Sequence, residues 1–440
     1  MLEKMFYPES VAVIGASADP RKLGHVVLRN IVEGGFKGKV YPINPKGGEI
    51  LGLKVYKSVL EVPDEIDLAV IIVPAKLVPD VMEDLGKKGV KNAVIITGGF
   101  REAGNEELEE KVVEIARRYG IRIVGPNCQG INNTHHNFCA SWPLITMKGK
   151  IAIASQSGTV AAALAEWSQR DGIGFSTFVS LGNKADVDEV DVINFFSEDK
   201  NTEVIALYIE GVRDGRKFME AAKKSKKPIV VLKPGVTERG AKAVQSHTKS
   251  MAGRNEVFDA ACKQSGVIRA ENLEELYDFA KAFAYLKPFK GDRILIVTSS
   301  GGSGILAVDV LESNGVKVFE ADEEIKSRLR DIVPPHGILD NPIDLTGDAT
   351  AEMYLEVAKA THDLVDAFLL IFGDPIENAA EATAEIVKLG KTVVVAFLGG
   401  GEVERKEVEK MHSYGIPVFP TPERAAKVLV ALKRWYECMR

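Results

Sequence analysis

A chain of 440 residues exceeds what one hydrophobic core organises, so about two to four domains are expected, and the element pattern below selects three. Hydrophobic residues at 45% and charged residues at 27% fit globular α/β domains, and a net charge of −6 with both signs interleaved leaves no broad basic face for a nucleic-acid backbone. No apolar run reaches bilayer length and Met1-Leu2-Glu3-Lys4 meets charge at once, so neither a membrane span nor a secretory leader is expected, and a cytoplasmic location is.

The cysteines, Cys128, Cys139, Cys262 and Cys438, are scattered without CxxC spacing, which predicts reduced thiols rather than a zinc site or a disulfide framework. No metal site is expected on this chain. Glutamine is scarce while Lys and Glu abound, a bias that resembles thermophile composition.

In chain order, an apolar β-branched run, a small-residue turn and a helical pattern recur three times. The first is Val11-Ala12-Val13-Ile14 followed by Gly15-Ala16-Ser17, with Leu23, Val26, Val27 and Ile31 at helical spacing. Strands at 40–43, 68–73, 93–97 and 121–124, separated by charged helical stretches such as 106–119, predict a doubly wound parallel sheet. The second opening is Ile151-Ala152-Ile153-Ala154 with Ser155-Gln156-Ser157-Gly158, completed by strands near 175–179, 204–209 and 229–232. The third is Ile294 to Thr298 with Ser299-Ser300-Gly301-Gly302, with later strands near 367–372 and 393–397. Pro288-Phe289-Lys290-Gly291 reads as the joint before it.

A Gly-rich turn between strand and helix leaves N–H groups free at the positive helix end, where a phosphate sits, although a bare structural turn has the same sequence. Gly15-Ala16-Ser17 lacks the full GxGxxG spacing. A dinucleotide site for NAD needs an acidic residue at the next strand end, yet Asn44-Pro45-Lys46 stands there, which disfavours NAD. Lys46 suits a ligand with an extra phosphate, and Val73-Pro74-Ala75, Thr97-Gly98-Gly99 and Gly125-Pro126-Asn127-Cys128 fall on the same carboxyl edge.

Of seven histidines, His247 stands in 242–253, a segment rich in small hydroxyl residues that reads as a long exposed loop after the strand 229–232. A lone histidine is either structural or catalytic, and a nucleophilic imidazole needs an acceptor on its second nitrogen. Glu210, at the end of the strand 204–209, is either that acceptor or a solvated loop acid. Gln156-Ser157-Gly158-Thr159 opens the long helix of the same domain and offers N–H groups to a transferred phosphate. A serine hydrolase elbow of the type GxSxG is not supplied by Ser155-Gln156-Ser157-Gly158.

The motifs GAS, INPK, VPA, GPNCQGI, SQSGT, SLGNKADVDE, YIEG and SHTKSMAG, in that order, resemble the α subunit of ADP-forming acetyl-CoA synthetase, a relative of succinyl-CoA synthetase, over essentially the whole chain. The resemblance implies a Rossmann-like coenzyme A-binding domain at 1–128, a flavodoxin-like domain with the phosphohistidine loop at 129–288 and a second flavodoxin-like domain at 289–440. It implies conversion of acyl-CoA, ADP and phosphate to acid, ATP and coenzyme A through acyl phosphate and a phosphohistidine. Carried over by position, His247 is the phosphorylated residue and Glu210 its carboxylate, with Ser157, Gly158 and Thr159 as the phosphate cradle. Coenzyme A falls to Gly15, Ala16, Ser17, Lys22, Lys46, Val73, Pro74, Thr97, Asn127 and Cys128.

The resemblance also implies an ATP-grasp β subunit in trans, carrying Mg2+ with ADP or ATP, and a hetero-oligomeric assembly. It also implies that the third domain is a packing and assembly module, and its own turn, Ser300-Gly301-Gly302-Ser303-Gly304, is able to bind a phosphate but has no assigned role. Lys249 stands where the family pattern has glycine, two residues after the histidine. A module of the same fold that senses coenzyme A or acyl-CoA without catalysis is the competing expectation.

Overall fold

The computed structural model describes residues 2–248 and 253–438, apart from the side chains of His247 and Thr248. It divides into two compact units, 1–269 and 270–440.

The first unit opens with a five-stranded parallel sheet of Ser10–Ile14, Lys39–Ile43, Leu68–Ile71, Asn92–Ile95 and Arg122–Val124. In space the order is second, first, third, fourth, fifth. The first and third strands are buried along their whole length, as expected where helices cover both faces of a parallel sheet. The helix Glu106–Tyr119 has the bounds its sequence predicts: Val112, Ile115 and Ala116 face inward, acids fill the first turn, Arg117 and Arg118 the last, and Gly120 ends it in the left-handed region.

The second sheet repeats that order. Lys148–Ser155, Phe175–Ser180, Val204–Tyr208 and Ile229–Leu232 pair in parallel, and Ile268–Ala270 flanks the last of them. An antiparallel hairpin, Gly130–Asn133 with Phe138–Ser141, extends it beyond Phe175–Ser180. The sequence reading assigns no strand to the hairpin, because Asn132, Asn133 and Thr134 break the apolar pattern. These polar residues are buried instead, and Thr134 Oγ1 donates to the Phe175 carbonyl at 2.5 Å. Asn30 Nδ2, from the helix Leu23–Glu33, donates at 2.8 Å to the carbonyls of Ser141 and Trp142, joining the hairpin to the first sheet's helical layer. One core runs through both sheets, from Val11 and Val70 to Val179, Ile205 and Val231.

The segment read as a loop around His247 is corrected: Glu238–Thr248 is an α-helix. Ala241, Ala243 and Val244 favour it, Glu238 and Lys242 pair at 2.7 Å one turn apart, and the Ser246 hydroxyl donates to the Lys242 carbonyl at 3.0 Å. A hydroxyl satisfied on its own helix does not signal a loop. Lys249 lies outside the described residues.

The second unit contains the parallel sheet of Ile294–Thr298, Ile343–Asp344, Ala367–Phe372, Thr392–Phe397 and Val418–Phe419, again ordered second, first, third, fourth, fifth. The helix Leu273–Tyr285, which the reading places before the 288 joint, packs in this unit against Pro422–Cys438. Arg424 Nε meets Asp278 Oδ2 at 2.6 Å, Lys427 pairs with Glu275, and Phe283 meets Trp435 edge-on. Among the described residues no helix is long and apolar enough to cross a membrane.

All four thiols are free; Cys128, Cys139 and Cys262 are buried and Cys438 is exposed. Burial pushes the Cys128 and Cys262 thiols up to about 12, so the reactive thiolate is suppressed at any pH below that value. Titration of the native protein with a disulfide reagent at pH near 8 is expected to modify Cys438 fast and the other three only on unfolding; four equal rates would contradict this burial pattern.

Candidate active site

In a doubly wound sheet, ligands enter at the carboxyl edge where connections from neighbouring strands leave in opposite directions, here between the first and third strands. In the first sheet that position lies between the turn after Ser10–Ile14 and the turn after Leu68–Ile71. Gly15 has φ +93, and a Cβ there would stand 2.3 Å from the Ile72 carbonyl oxygen. A Cβ on Gly24 would stand 2.1 Å from Gly15 O, so the turn and the helix Leu23–Glu33 touch backbone to backbone. Gly15 is therefore required by the packing whether or not a ligand is present. The sequence reading missed Gly24, which lies inside the helical pattern.

The neighbouring strand ends are linked in series. Asn44 Nδ2 donates to the Ala16 carbonyl at 2.8 Å, and Asn44 Oδ1 accepts the Lys46 N–H at 3.0 Å. Thr97 Oγ1 donates to the Val73 carbonyl at 2.7 Å, and the Asn127 N–H donates to the Thr97 carbonyl at 2.9 Å. Gly15, Ala16, Ser17, Lys46, Val73, Pro74, Thr97 and Asn127 thus follow one continuous edge. Lys22 is exposed at the N-cap of Leu23–Glu33 with no capping side-chain bond, and Lys46 is exposed. Two cations beside a positive helix end favour an anionic ligand. Cys128 is placed differently: it is 5% exposed, its Sγ lies 3.4 Å from the Ile95 carbonyl, and its side chain packs beneath the edge.

The second sheet has the same crevice between Ser155 and Tyr208. Ser157 caps the helix Gly158–Arg170, its Oγ accepting the Val160 N–H at 3.4 Å, and Ser155 Oγ donates to the Ser157 carbonyl at 2.6 Å. Gly158 carries the Gln129 side chain against it, since a Cβ there would stand 2.4 Å from Gln129 Cγ. Thr159 is exposed.

Glu210 follows the third strand and is 5% exposed. Gln156 Oε1 accepts the Glu210 N–H at 2.6 Å and the Gly211 N–H at 3.3 Å, closing the crevice floor from first strand to third. Burial, and after it the charge of Glu210, pushes the Tyr208 phenol up to about 12. Glu210 and the Ser157-Gly158 helix start therefore share one edge. The helix Glu238–Thr248, with His247 in its last turn, follows the adjacent strand Ile229–Leu232 and comes beside the turn Arg101–Ala103 of the first sheet. The His247 side chain lies outside the described atoms.

Gln129 was legible only as a member of a quoted motif, and Gln156 only as part of the helix opening, with no role for its side chain. The segment 181–189 was likewise legible only within a quoted motif, and it contributes a buried ion pair, Lys184 Nζ to Glu189 Oε2 at 2.6 Å. Nothing in its spacing marks a pair of opposite charges five residues apart as converging in a core.

Three family models match: a CoA binding domain at residues 9–134, a succinyl-CoA ligase like flavodoxin domain at 148–283 and a ligase-CoA domain at 294–440. The chain is 46% identical to the acetate–CoA ligase [ADP-forming] I subunit alpha of Pyrococcus furiosus, over 99% of this chain and 97% of that one. It is 44% identical to the acetate–CoA ligase [ADP-forming] I of Archaeoglobus fulgidus, over 99% of this chain and 64% of that longer protein. Among solved structures, the Ca. Korarchaeum cryptofilum dinucleotide forming acetyl-coenzyme A synthetase 1 in complex with phosphate and ADP superposes with a TM-score of 0.94 at 40% identity, covering 100% of this chain and 97% of that one. The chain belongs to the ADP-forming acetate–CoA ligase family.

Proposed function

We propose that the chain is the α subunit of an ADP-forming acyl-CoA synthetase that converts acyl-CoA, ADP and phosphate into a carboxylic acid, ATP and coenzyme A. The observation that carries this reading is the second crevice, where buried Glu210 and the Ser157-Gly158 helix start stand on one edge beside the strand that leads to the His247 helix. The full-length likeness to a named alpha subunit supports the same reaction.

In the proposed route a phosphate oxygen attacks the acyl carbonyl, and the coenzyme A thiolate departs. The His247 ring nitrogen then attacks phosphorus and releases the carboxylate. Finally ADP takes the phosphoryl group from His247. The N–H groups of Ser157, Gly158 and Thr159 hold phosphate oxygens, because a helix start concentrates partial positive charge where the anion sits. Glu210 accepts the second imidazole N–H and stabilises the cationic ring that forms as the phosphoryl arrives. Burial of Glu210 strengthens that interaction.

Coenzyme A lies along the first sheet's edge, its phosphates toward Lys22 and Lys46, its chain past Val73, Pro74, Thr97 and Asn127. Residues 1–128 would form the coenzyme A domain, 129–288 the phosphohistidine domain and 289–440 a packing and assembly module, a division supported by the three matched segments. The alpha-subunit naming of the Pyrococcus relative supports a second subunit. We assign to it an ATP-grasp fold that holds ADP with Mg2+, in a cytoplasmic hetero-oligomer.

Incubation of the assembled enzyme with labelled ATP and Mg2+ is expected to give an acid-labile, base-stable phosphoprotein, and the label is expected to vanish in His247→Ala. Label that persists in this variant contradicts the assignment. For coenzyme A, charge reversal in Lys46→Glu is expected to weaken binding by roughly tenfold, about 1.4 kcal/mol, in calorimetry. Equal affinity would remove Lys46 from the site.

A further inference from the structure

The segment 181–189 takes no part in the route above, yet it joins the two crevices. After the strand Phe175–Ser180 it lies on the turn 125–127 of the first sheet. A Cβ at Gly182 would stand 2.3 Å from the Pro126 carbonyl oxygen. The Asn183 N–H donates to the Pro126 carbonyl at 2.9 Å and the Ala185 N–H to the Gly125 carbonyl at 3.0 Å. Asn183 Nδ2 donates to Glu102 Oε2 at 2.6 Å and Glu109 Oε2 at 2.8 Å, and Asn127 Nδ2 reaches Asn183 Oδ1 at 3.4 Å. This end of the segment is fixed to the proposed coenzyme A edge.

The next residue turns the other way. Lys184 adopts φ +52, a left-handed conformation unusual outside glycine, and its side chain is buried on the side of the second sheet. Its ammonium donates to Glu189 Oε2 and to the Gly211 carbonyl, each at 2.6 Å. Glu189, fully buried, accepts the Arg213 N–H on Oε1 at 3.2 Å. Gln156 Oε1 holds the N–H groups of Glu210 and Gly211. The backbone of Glu210 and Gly211 is thus held by Gln156 on its two N–H groups and by Lys184 on the Gly211 carbonyl. A buried ion pair contributes little net stability over an apolar pair of equal volume, so its geometry is where a role is to be sought.

We propose that Lys184, neutralised by Glu189, is a positioning residue that fixes the Glu210 carboxylate relative to the coenzyme A edge through the Gly211 carbonyl. The proposal rests on Glu210 serving the phosphohistidine, as proposed above.

The test uses the chain assembled with its partner subunit and two variants. Lys184→Met with Glu189→Gln removes both charges at similar volume, so no lone buried ion remains. Gln156→Leu releases the two N–H groups and leaves the ion pair intact, which keeps the test decisive if the double variant does not fold. Three quantities are read: hydrogen exchange at the Glu210 and Gly211 amides, the single-turnover rate of His247 phosphorylation, and the Kd for coenzyme A. In both variants the exchange is expected to accelerate and the phosphorylation rate to fall by roughly 10- to 100-fold, while Kd stays within about twofold. A folded variant that phosphorylates at the wild-type rate overturns the proposal, as does one in which rate and coenzyme A affinity fall together, the signature of general weakening. Wild-type enzyme that takes no label overturns the functional reading instead, and the exchange measurement still decides whether Lys184 holds the backbone at Glu210 and Gly211.

Discussion

The contact of the 181–185 backbone with the 125–127 backbone is the constraint on which the two crevices of the first unit depend. Gly182 and Asn183 leave no room for a side chain or a water layer between these segments, so the carboxyl edge of the first sheet and that of the second are set at a fixed spacing. Arg122 reinforces it by bridging Asp186 at 2.8 Å and Asp191 at 2.9 Å, and the Ile123 N–H donates to Asp186 at 2.8 Å. Asp191 also closes the capping box of the helix Glu189–Glu198. One cation therefore ties the last strand of the first sheet to a helix start of the second. The phosphoryl relay proposed above, from a ligand of one sheet to a side chain carried by the other, needs a fixed spacing of this kind.

The three sheets share one strand order and each opens with strand, small-residue turn and helix, yet their crevices differ in what fills them. The first presents uncapped, cation-flanked backbone. The second presents a buried carboxylate beside a helix start. In the third, Asp344 supplies its own anion: a Cβ on Gly301 would stand 2.6 Å from Asp344 Oδ2, at the start of Gly301–Ser313, and Ser299 Oγ accepts the Gly373 N–H at 3.0 Å. A helix start with a carboxylate already on it has little residual attraction for phosphate. The turn Ser300-Gly301-Gly302 thus differs from the other two in holding a side-chain carboxylate of its own sheet. Equal topology thus does not imply equal chemistry.

Much of the scaffold was legible because the central parallel strands are short runs dominated by Val, Ile, Leu and Ala and several are followed by small-residue turns, and Glu106–Tyr119 carries both charge-biased ends of a helix. The hairpin of Gly130–Asn133 and Phe138–Ser141 was not legible, because its burial is polar and its partners come from Asn30 and Phe175, far away in the chain. The helix holding His247 was hidden by its hydroxyl residues. Of the candidate site, position at strand and helix ends singled out Glu210 and Ser157-Gly158, and their roles came from the family resemblance. Cys128 was included by its motif and is turned away by burial. Gln156, Lys184 and Glu189 act through main-chain groups of residues up to fifty-five positions away, a relation that no periodicity encodes.

In the proposed reaction these paired crevices conserve the energy of a thioester in a phosphoanhydride bond. The most direct measurement is product analysis after mixing acetyl-CoA, ADP and phosphate with the chain assembled with its partner subunit. Acetate, coenzyme A and ATP are predicted to appear in equal amounts and to depend on added phosphate. Release of acetate and coenzyme A with ADP left unchanged would contradict the account.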